Sequence, residues 1–369
     1  MFSLTSRTVP TLARKSRLHA GMLYDDMGEQ DNAVKQFKTV VDLYPNSEES
    51  RTALESLKKI YVDRNDVSGY ATYVNSLGGL ATFSASEEDS LTYVAAENLY
   101  TKEKYKEAVS AFENYLAKFP NTANKTAAHF LLGNSYYRTD NKAKAKTEFA
   151  FVAGQTGSWQ AVGALARLGE IQFEQKEYTE AAASYKKLES ISQKAEQKLE
   201  AQQNIMECYN EMGDADSMIM AANKLVNGSN IDINVTRKAY YLRAKAYEKK
   251  DQVAEAQADY KKLSENCMDR YGAEAEYRVA QYLYHEGKKD DAEKEIFAFI
   301  EKNTPHQYWL AKAFILLADI YISENRDFEA KQYLVSLQDN YTGTNDNIAT
   351  EIKARLDDIE SRESKQVKN

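Results

Sequence analysis

Small and bulky apolar residues recur along this chain at one nearly fixed interval. Ala108, Ala145, Ala181, Ala256, Ala292 and Ala330 are each followed four residues later by a bulky side chain: Phe112, Phe149, Tyr185, Tyr260, Ile296 and Leu334. The gaps between the alanines are 37, 36, 75, 36 and 38 residues, and Ala33 precedes Ala108 by another 75, so each long gap holds one degenerate unit. Within a unit the apolar positions lie three or four apart, the spacing of one helix face. Polar turns such as Met27-Gly28-Glu29-Gln30, Glu211-Met212-Gly213-Asp214 and His285-Glu286-Gly287-Lys288 cut units into two helices. Glycine there permits the left-handed end of the first helix, and Pro45, Pro120 and Pro305 fall where the second must stop. The pattern predicts an all-α array of about nine stacked helical hairpins.

The array is expected over residues 11–343, with 1–10 disordered or leader-like and 344–369 a capping helix and polar tail. Arg7, Arg14, Lys15 and Arg17 precede the first acid, Asp25. That bias fits an organelle transit segment, while the rival reading makes Thr11 to Met27 the first helix of a repeat. Two units are irregular. Residues 46–84 carry Gly69, Gly78 and Gly79, which predict a short or broken second helix, and residues 195–228 put Met218 at the alanine position and Ala222 where Phe is expected. Bends are expected at both. From Asn347 to Ser361, Ile348, Ile352, Leu356 and Ile359 share one face and would close the last hydrophobic surface. The tail from Glu363 is expected to fray.

Leu132, Gly133, Tyr136, Ala145, Phe149 and Val152, with Gly157 closing the unit, match the Leu-Gly, Tyr, Ala, Phe pattern of the tetratricopeptide repeat. The first unit repeats it as Ala20, Gly21, Tyr24, Ala33, Phe37 and Pro45. The chain therefore resembles the tetratricopeptide-repeat family over roughly residues 14–343. The resemblance implies a helical-hairpin solenoid, wound as a right-handed superhelix, that binds a protein partner. The observed period is longer than the common value of about 34. Together with Phe119-Pro120-Asn121-Thr122 ahead of the next helix, it is similar to repeat proteins of the bacterial cell envelope, among them the Tol-Pal coordinator and the outer-membrane assembly lipoprotein. That likeness implies a role in envelope assembly, periplasmic if an export signal lies outside this chain and cytoplasmic otherwise.

In this architecture the first helix of each hairpin lines the concave face. Reading its recurring positions gives Tyr93 and Tyr100, Phe130 and Tyr137, Phe173, Tyr241, and Tyr277 and Tyr284, with Asn134, Lys245 and Gln281 between them. An aromatic groove with a polar centre line is expected to take a peptide, since tyrosine gives broad amphipathic contact at small entropic cost. The competing reading packs these rings between adjacent first helices. The family's clamp for a chaperone tail cannot be assembled, because Phe130 stands where Lys is needed and Gly163, Arg167 and Glu170 follow.

Composition narrows the function classes. The net charge of −8 argues against nucleic acid, and no run of 18 apolar residues is present to cross a membrane. Cys208 and Cys267 lie far apart and read as core residues, and His19, His129, His285 and His306 stand singly, so neither a metal nor another cofactor is expected. Helical carboxylates read as solvated, and no phosphate loop or nucleophile elbow occurs. The sequence thus points to a non-catalytic interaction scaffold holding a peptide or protein partner, monomeric by preference. The alternative is a structural spacer or self-associating module without a groove.

Overall fold

The computed structural model describes residues 5–366. The flanking residues 1–4 and 367–369, which take in part of the leader-like segment and of the polar tail, lie outside the described residues. Among the described residues there are nineteen helices and no strand. In order they are α1 (Thr5–Asp26), α2 (Gln30–Leu43), α3 (Glu48–Asp63), α4 (Val67–Ser76), α5 (Ala85–Thr101), α6 (Tyr105–Lys118), α7 (Lys125–Arg138), α8 (Lys142–Ala153) and α9 (Gln160–Glu174). There follow α10 (Tyr178–Ile191), α11 (Ala195–Met212), α12 (Ala215–Val226), α13 (Ile233–Lys249), α14 (Val253–Ser264), α15 (Arg270–His285), α16 (Lys289–Glu301), α17 (Gln307–Ser323), α18 (Asp327–Asn340) and α19 (Ile348–Gln366). They gather into two compact units, one ending at Ile171 and the other beginning at Gln172. In the first unit consecutive helices from α1 to α8 pack pairwise, and first helices also touch, α1 on α3, α3 on α5 and α5 on α7. The second unit repeats the scheme, with α11 on α13, α13 on α15, α15 on α17 and α17 on α19.

One backbone device links the two helices of every hairpin. A left-handed residue stands at Gly28, Asn65, Glu103, Asp140, Lys176, Gly213, Asp251, Gly287 and Asn325, at intervals of 36 to 38 residues. In all nine, the left-handed residue's amide bonds the carbonyl three residues back and the next amide bonds the carbonyl five before it, as in Gly28 to Asp25 and Glu29 to Tyr24 at 2.9 and 2.8 Å. These bonds occupy carbonyls that the helix end would otherwise leave unpaired. The residue after the left-handed one already caps the second helix. Asp66, Asn141 and Asp214 do so with their side chains, whereas Lys104 and Lys288 do not.

Five residues beyond each stop lies the position of closest packing. Ala33, Ala108, Ala145, Ala181, Ala256, Ala292 and Ala330 are all fully buried there, and Tyr70 and Met218 occupy it in the two degenerate units. The small residue of the first helix serves a different purpose from simple backbone crossing. A Cβ on Gly133 would come 2.9 Å from the Phe149 ring, and one on Gly21 2.6 Å from Phe37, so each glycine is the socket for the second helix's aromatic. Seven residues before Gly213 and nine after it, the sizes are exchanged to Met206 and Ala222, both buried. Total volume is kept, which is why residues 195–228 form a regular hairpin of α11 and α12 and not the irregular unit expected from Met218.

Other expectations are refined in the same way. The short helix expected in residues 46–84 is α4, ten residues long and unbroken. Gly69 gives room for the Asp66 carboxylate that caps it, 3.0 Å from the Gly69 amide, and the chain turns away at Gly78 and Gly79. At the N-terminus α1 starts at Thr5, inside the stretch 1–10 expected to be disordered or leader-like. At the other end α19 continues through Glu363, which was expected to fray, because Glu363 meets Lys331 at 3.0 Å and Arg362 meets Asp327 at 3.2 Å on α18. Ile348, Ile352 and Ile359 are buried, while Lys353, Asp357 and Asp358 face outward.

Two substitutions test this account by thermal unfolding. Glu103→Gly, which relieves a side chain held in the left-handed region, should raise stability by about 0.5–1 kcal/mol. Gly133→Val, which fills the Phe149 socket, should lower it by about 1–3 kcal/mol. Equal effects of the two would contradict the roles assigned to turn and socket.

Candidate functional site

Counted from the left-handed stops, the eleven candidate residues fall into three recurring positions on the first helices. Tyr93, Phe130, Tyr241 and Tyr277 lie ten residues before a stop, Asn134, Lys245 and Gln281 six before, and Tyr100, Tyr137, Phe173 and Tyr284 three before. Helical periodicity puts these positions on one side of each helix. The first unit carries them on α5 and α7; the second carries Phe173 at the end of α9 and the rest on α13 and α15. Ten of the eleven are half-buried.

Tyr277 departs from the expectation of a groove residue. Only 7% of it is exposed, its ring centroid lies 5.7 Å from that of Trp309, and its hydroxyl accepts from Gln281 Nε2 at 3.0 Å. The next first helix, α17, brings Trp309 over it, so its ring belongs to the core. Phe130 and Tyr241 receive similar cover, from Trp159 at 6.2 Å and Tyr271 at 4.8 Å. These three covering aromatics stand 29 to 32 residues beyond the rings they meet, at or just before the start of the following helix. Sequence reading missed them because that offset is not constant. Trp159 is 78% exposed and leaves one side of the Phe130 contact open.

Three of the six candidate tyrosine hydroxyls are committed to carboxylates. Tyr137 donates to Glu170 Oε1 at 2.9 Å, Tyr241 to Glu274 Oε2 at 2.9 Å and Tyr93 to Glu97 Oε1 at 3.0 Å. Burial and then the neighbouring carboxylate raise the phenol values of Tyr93 and Tyr241 well above ordinary, so both remain neutral donors. Arg167 adds its guanidinium, 5.0 Å from the Tyr137 ring centroid and 2.7 Å from Glu170. In the second unit Lys245 stands between Glu274 and Glu248 at 3.6 and 3.7 Å. Asn134 donates to the Phe130 carbonyl of its own helix at 3.0 Å. The surface therefore offers ring faces and paired charges to a ligand, with three of its tyrosine hydroxyls already bound to carboxylates.

At the C-terminal end α19 takes over part of this line. Arg355 makes two bonds to Asp319, at 2.7 and 2.8 Å, and Lys312 two to Glu351, at 2.7 and 2.8 Å. Asp319 sits six residues before the Asn325 stop, so the final centre-line carboxylate is already occupied by the chain itself.

Burial separates core from surface among the candidates. Tyr277→Ala should cost about 3–5 kcal/mol, whereas Tyr100→Ala, which removes a half-buried ring, should cost under about 1.5 kcal/mol. Denaturant unfolding of the two variants measures both, and equal losses would place Tyr100 in the core as well.

Family models described as the tetratricopeptide repeat match residues 15–47, 93–150, 130–196 and 238–265. Among solved structures the chain is similar to the C-terminal part of a repeat-containing protein from Cytophaga hutchinsonii, at 14% identity over 80% of this chain and 98% of that one, with a TM-score of 0.42. It is also similar to a tetratricopeptide repeat protein from Parabacteroides merdae, at 14% identity over 73% of this chain and 98% of that one, with a TM-score of 0.39. No curated protein sequence matches. Among the described residues no helix is long and apolar enough to cross a membrane. The family models, over the segments they match, show that the chain carries tetratricopeptide repeats.

Proposed function

We propose that this chain is a non-catalytic scaffold whose first-helix faces hold a peptide segment of a protein partner. Tetratricopeptide arrays commonly serve protein–protein interaction, through the extended surfaces that repetition builds. The observation that carries the finer reading is the recurrence of aromatics, most of them half-buried, at fixed positions before five of the nine stops, with paired charges between them. Half-buried rings present a carbon face without needing to leave the core. That suits contact with a peptide's side chains, while Lys245, Arg167 and their acidic partners can exchange one another for the peptide's polar groups.

The rival, a self-associating spacer, has one feature in its favour. Phe328 and Val335 of α18 are 69% and 40% exposed and lie seven residues apart on one face. The polar outer face of α19 counts against end-to-end stacking through the C-terminus.

A peptide-display selection against the full chain provides the test. Peptides recovered on the wild type should bind Tyr137→Ala/Tyr284→Ala at least tenfold more weakly, a loss of about 1.4 kcal/mol, with helical circular dichroism and melting temperature near wild type. Retained binding would remove the tyrosine face from the reading, and a concentration-dependent mass abolished by Phe328→Ser would favour the spacer.

A further inference from the structure

Helical carboxylates are expected to be solvated, and Glu276 on α15 is not. It is fully buried, Lys302 at the end of α16 contacts one of its oxygens, and the other meets no donor. The register of the repeat puts a second acid against it. Eleven residues before a stop and eight after it, the two helices of a hairpin face each other: His129 meets Glu148 at 2.5 Å, and the rings of Phe314 and Tyr333 lie 6.2 Å apart. The same two positions in the α15–α16 hairpin are Glu276 and Glu295.

Several charged and polar groups on the elements packed against α15 are paired elsewhere. On α17, Lys312 is bound to Glu351, Asp319 to Arg355, Tyr308 to Asn347 and Tyr321 to Glu293. On α14, Asp259 is bound to Arg243, and Arg237 of α13 is bound to Asp269 just before α15. Cys267, in the same connection, is a buried neutral thiol. Among the described residues Lys302 is the one cation in contact with Glu276, and it is itself 42% exposed. A like-charged pair in this register, with one member fully buried, cannot both ionise cheaply.

We propose that Glu276 and Glu295 hold one proton between them in the folded hairpin, making α15–α16 a pH-responsive unit of the array. Burial pushes the Glu276 carboxyl above its ordinary value, Lys302 pulls it back, Glu295 pushes again, and the net direction is upward. Lys302 gains from the contact because water still reaches it. An acid whose folded value lies above its unfolded one, about 4.3, lends stability at low pH and loses it as pH rises through the folded value. The unit that loosens also carries Gln281 and Tyr284, so the same proton would act on the candidate surface.

Melting temperatures of the full chain at pH 5 and pH 8 test this, for wild type, Glu276→Gln and Glu295→Gln. At pH 8 each variant should melt about 2–4 °C higher than wild type, and the difference between the two pH values should shrink. Both variants melting lower at pH 8, with the pH difference unchanged, would overturn the proposal in favour of an ionised Glu276 held by Lys302. Where Glu276→Gln fails to fold or the two variants disagree, the half-exposed Glu295→Gln decides: a rise at pH 8 supports the shared proton, and no rise overturns it.

Discussion

The structure depends on one backbone hydrogen bond, made nine times, from the amide after a left-handed residue to the carbonyl five positions earlier. It ends the first helix and, because its donor residue is also the cap of the second, it leaves no free loop residue to absorb a slip. The angle and phase between the two helices are then fixed by backbone geometry. Everything else follows at set distances. The buried alanine comes five residues later, the socket lies seven residues before, and the bulky filler nine after.

That constraint explains which parts of the fold could be read from sequence. The alanine period was legible because a crowded position tolerates little besides alanine, so chemistry and geometry coincide there. The stops were legible only at Gly28, Gly213 and Gly287. At Asn65, Glu103, Asp140, Lys176, Asp251 and Asn325 the backbone takes the same left-handed form with an ordinary side chain, at a local cost of about 1 kcal/mol that the surrounding packing offsets. Residues 195–228 misled for the opposite reason. Met206 and Ala222 invert the sizes seen in Gly133 and Phe149, and a pattern that scores each position alone cannot see a sum of volumes.

The candidate surface was legible to a similar depth. Helical spacing alone put eleven residues into three recurring positions, because side of helix is a local property. How deeply each would lie was not, since it depends on the following repeat. Trp309 covers Tyr277 and Tyr271 covers Tyr241, across connections whose lengths differ. The partners of polar groups were equally out of reach: Tyr241 with Glu274, or Arg355 with Asp319, are matches between helices more than thirty residues apart.

Because the backbone bond sets the register, side chains away from the socket and the alanine are free to diversify, even into arrangements that local rules disfavour. The register pair that is His129 with Glu148 in one hairpin is Phe314 with Tyr333 in another and Glu276 with Glu295 in a third. Near-identical backbone positions thus host a hydrogen-bonded pair, a ring contact and two acids. Arg237 shows the same freedom between hairpins. Only 8% exposed, it binds Asp269 together with the Leu263 and Asn266 carbonyls, at 3.0 and 2.8 Å for the last two. Beside it Gly272 is required, since a Cβ there would sit 1.7 Å from the Asn266 carbonyl oxygen. A buried charge of this kind adds little net stability over an apolar core, but it fits only one neighbour. Within the second unit such unlike contacts match one hairpin to the next, while the shared turn fixes the phase of the two helices inside each hairpin.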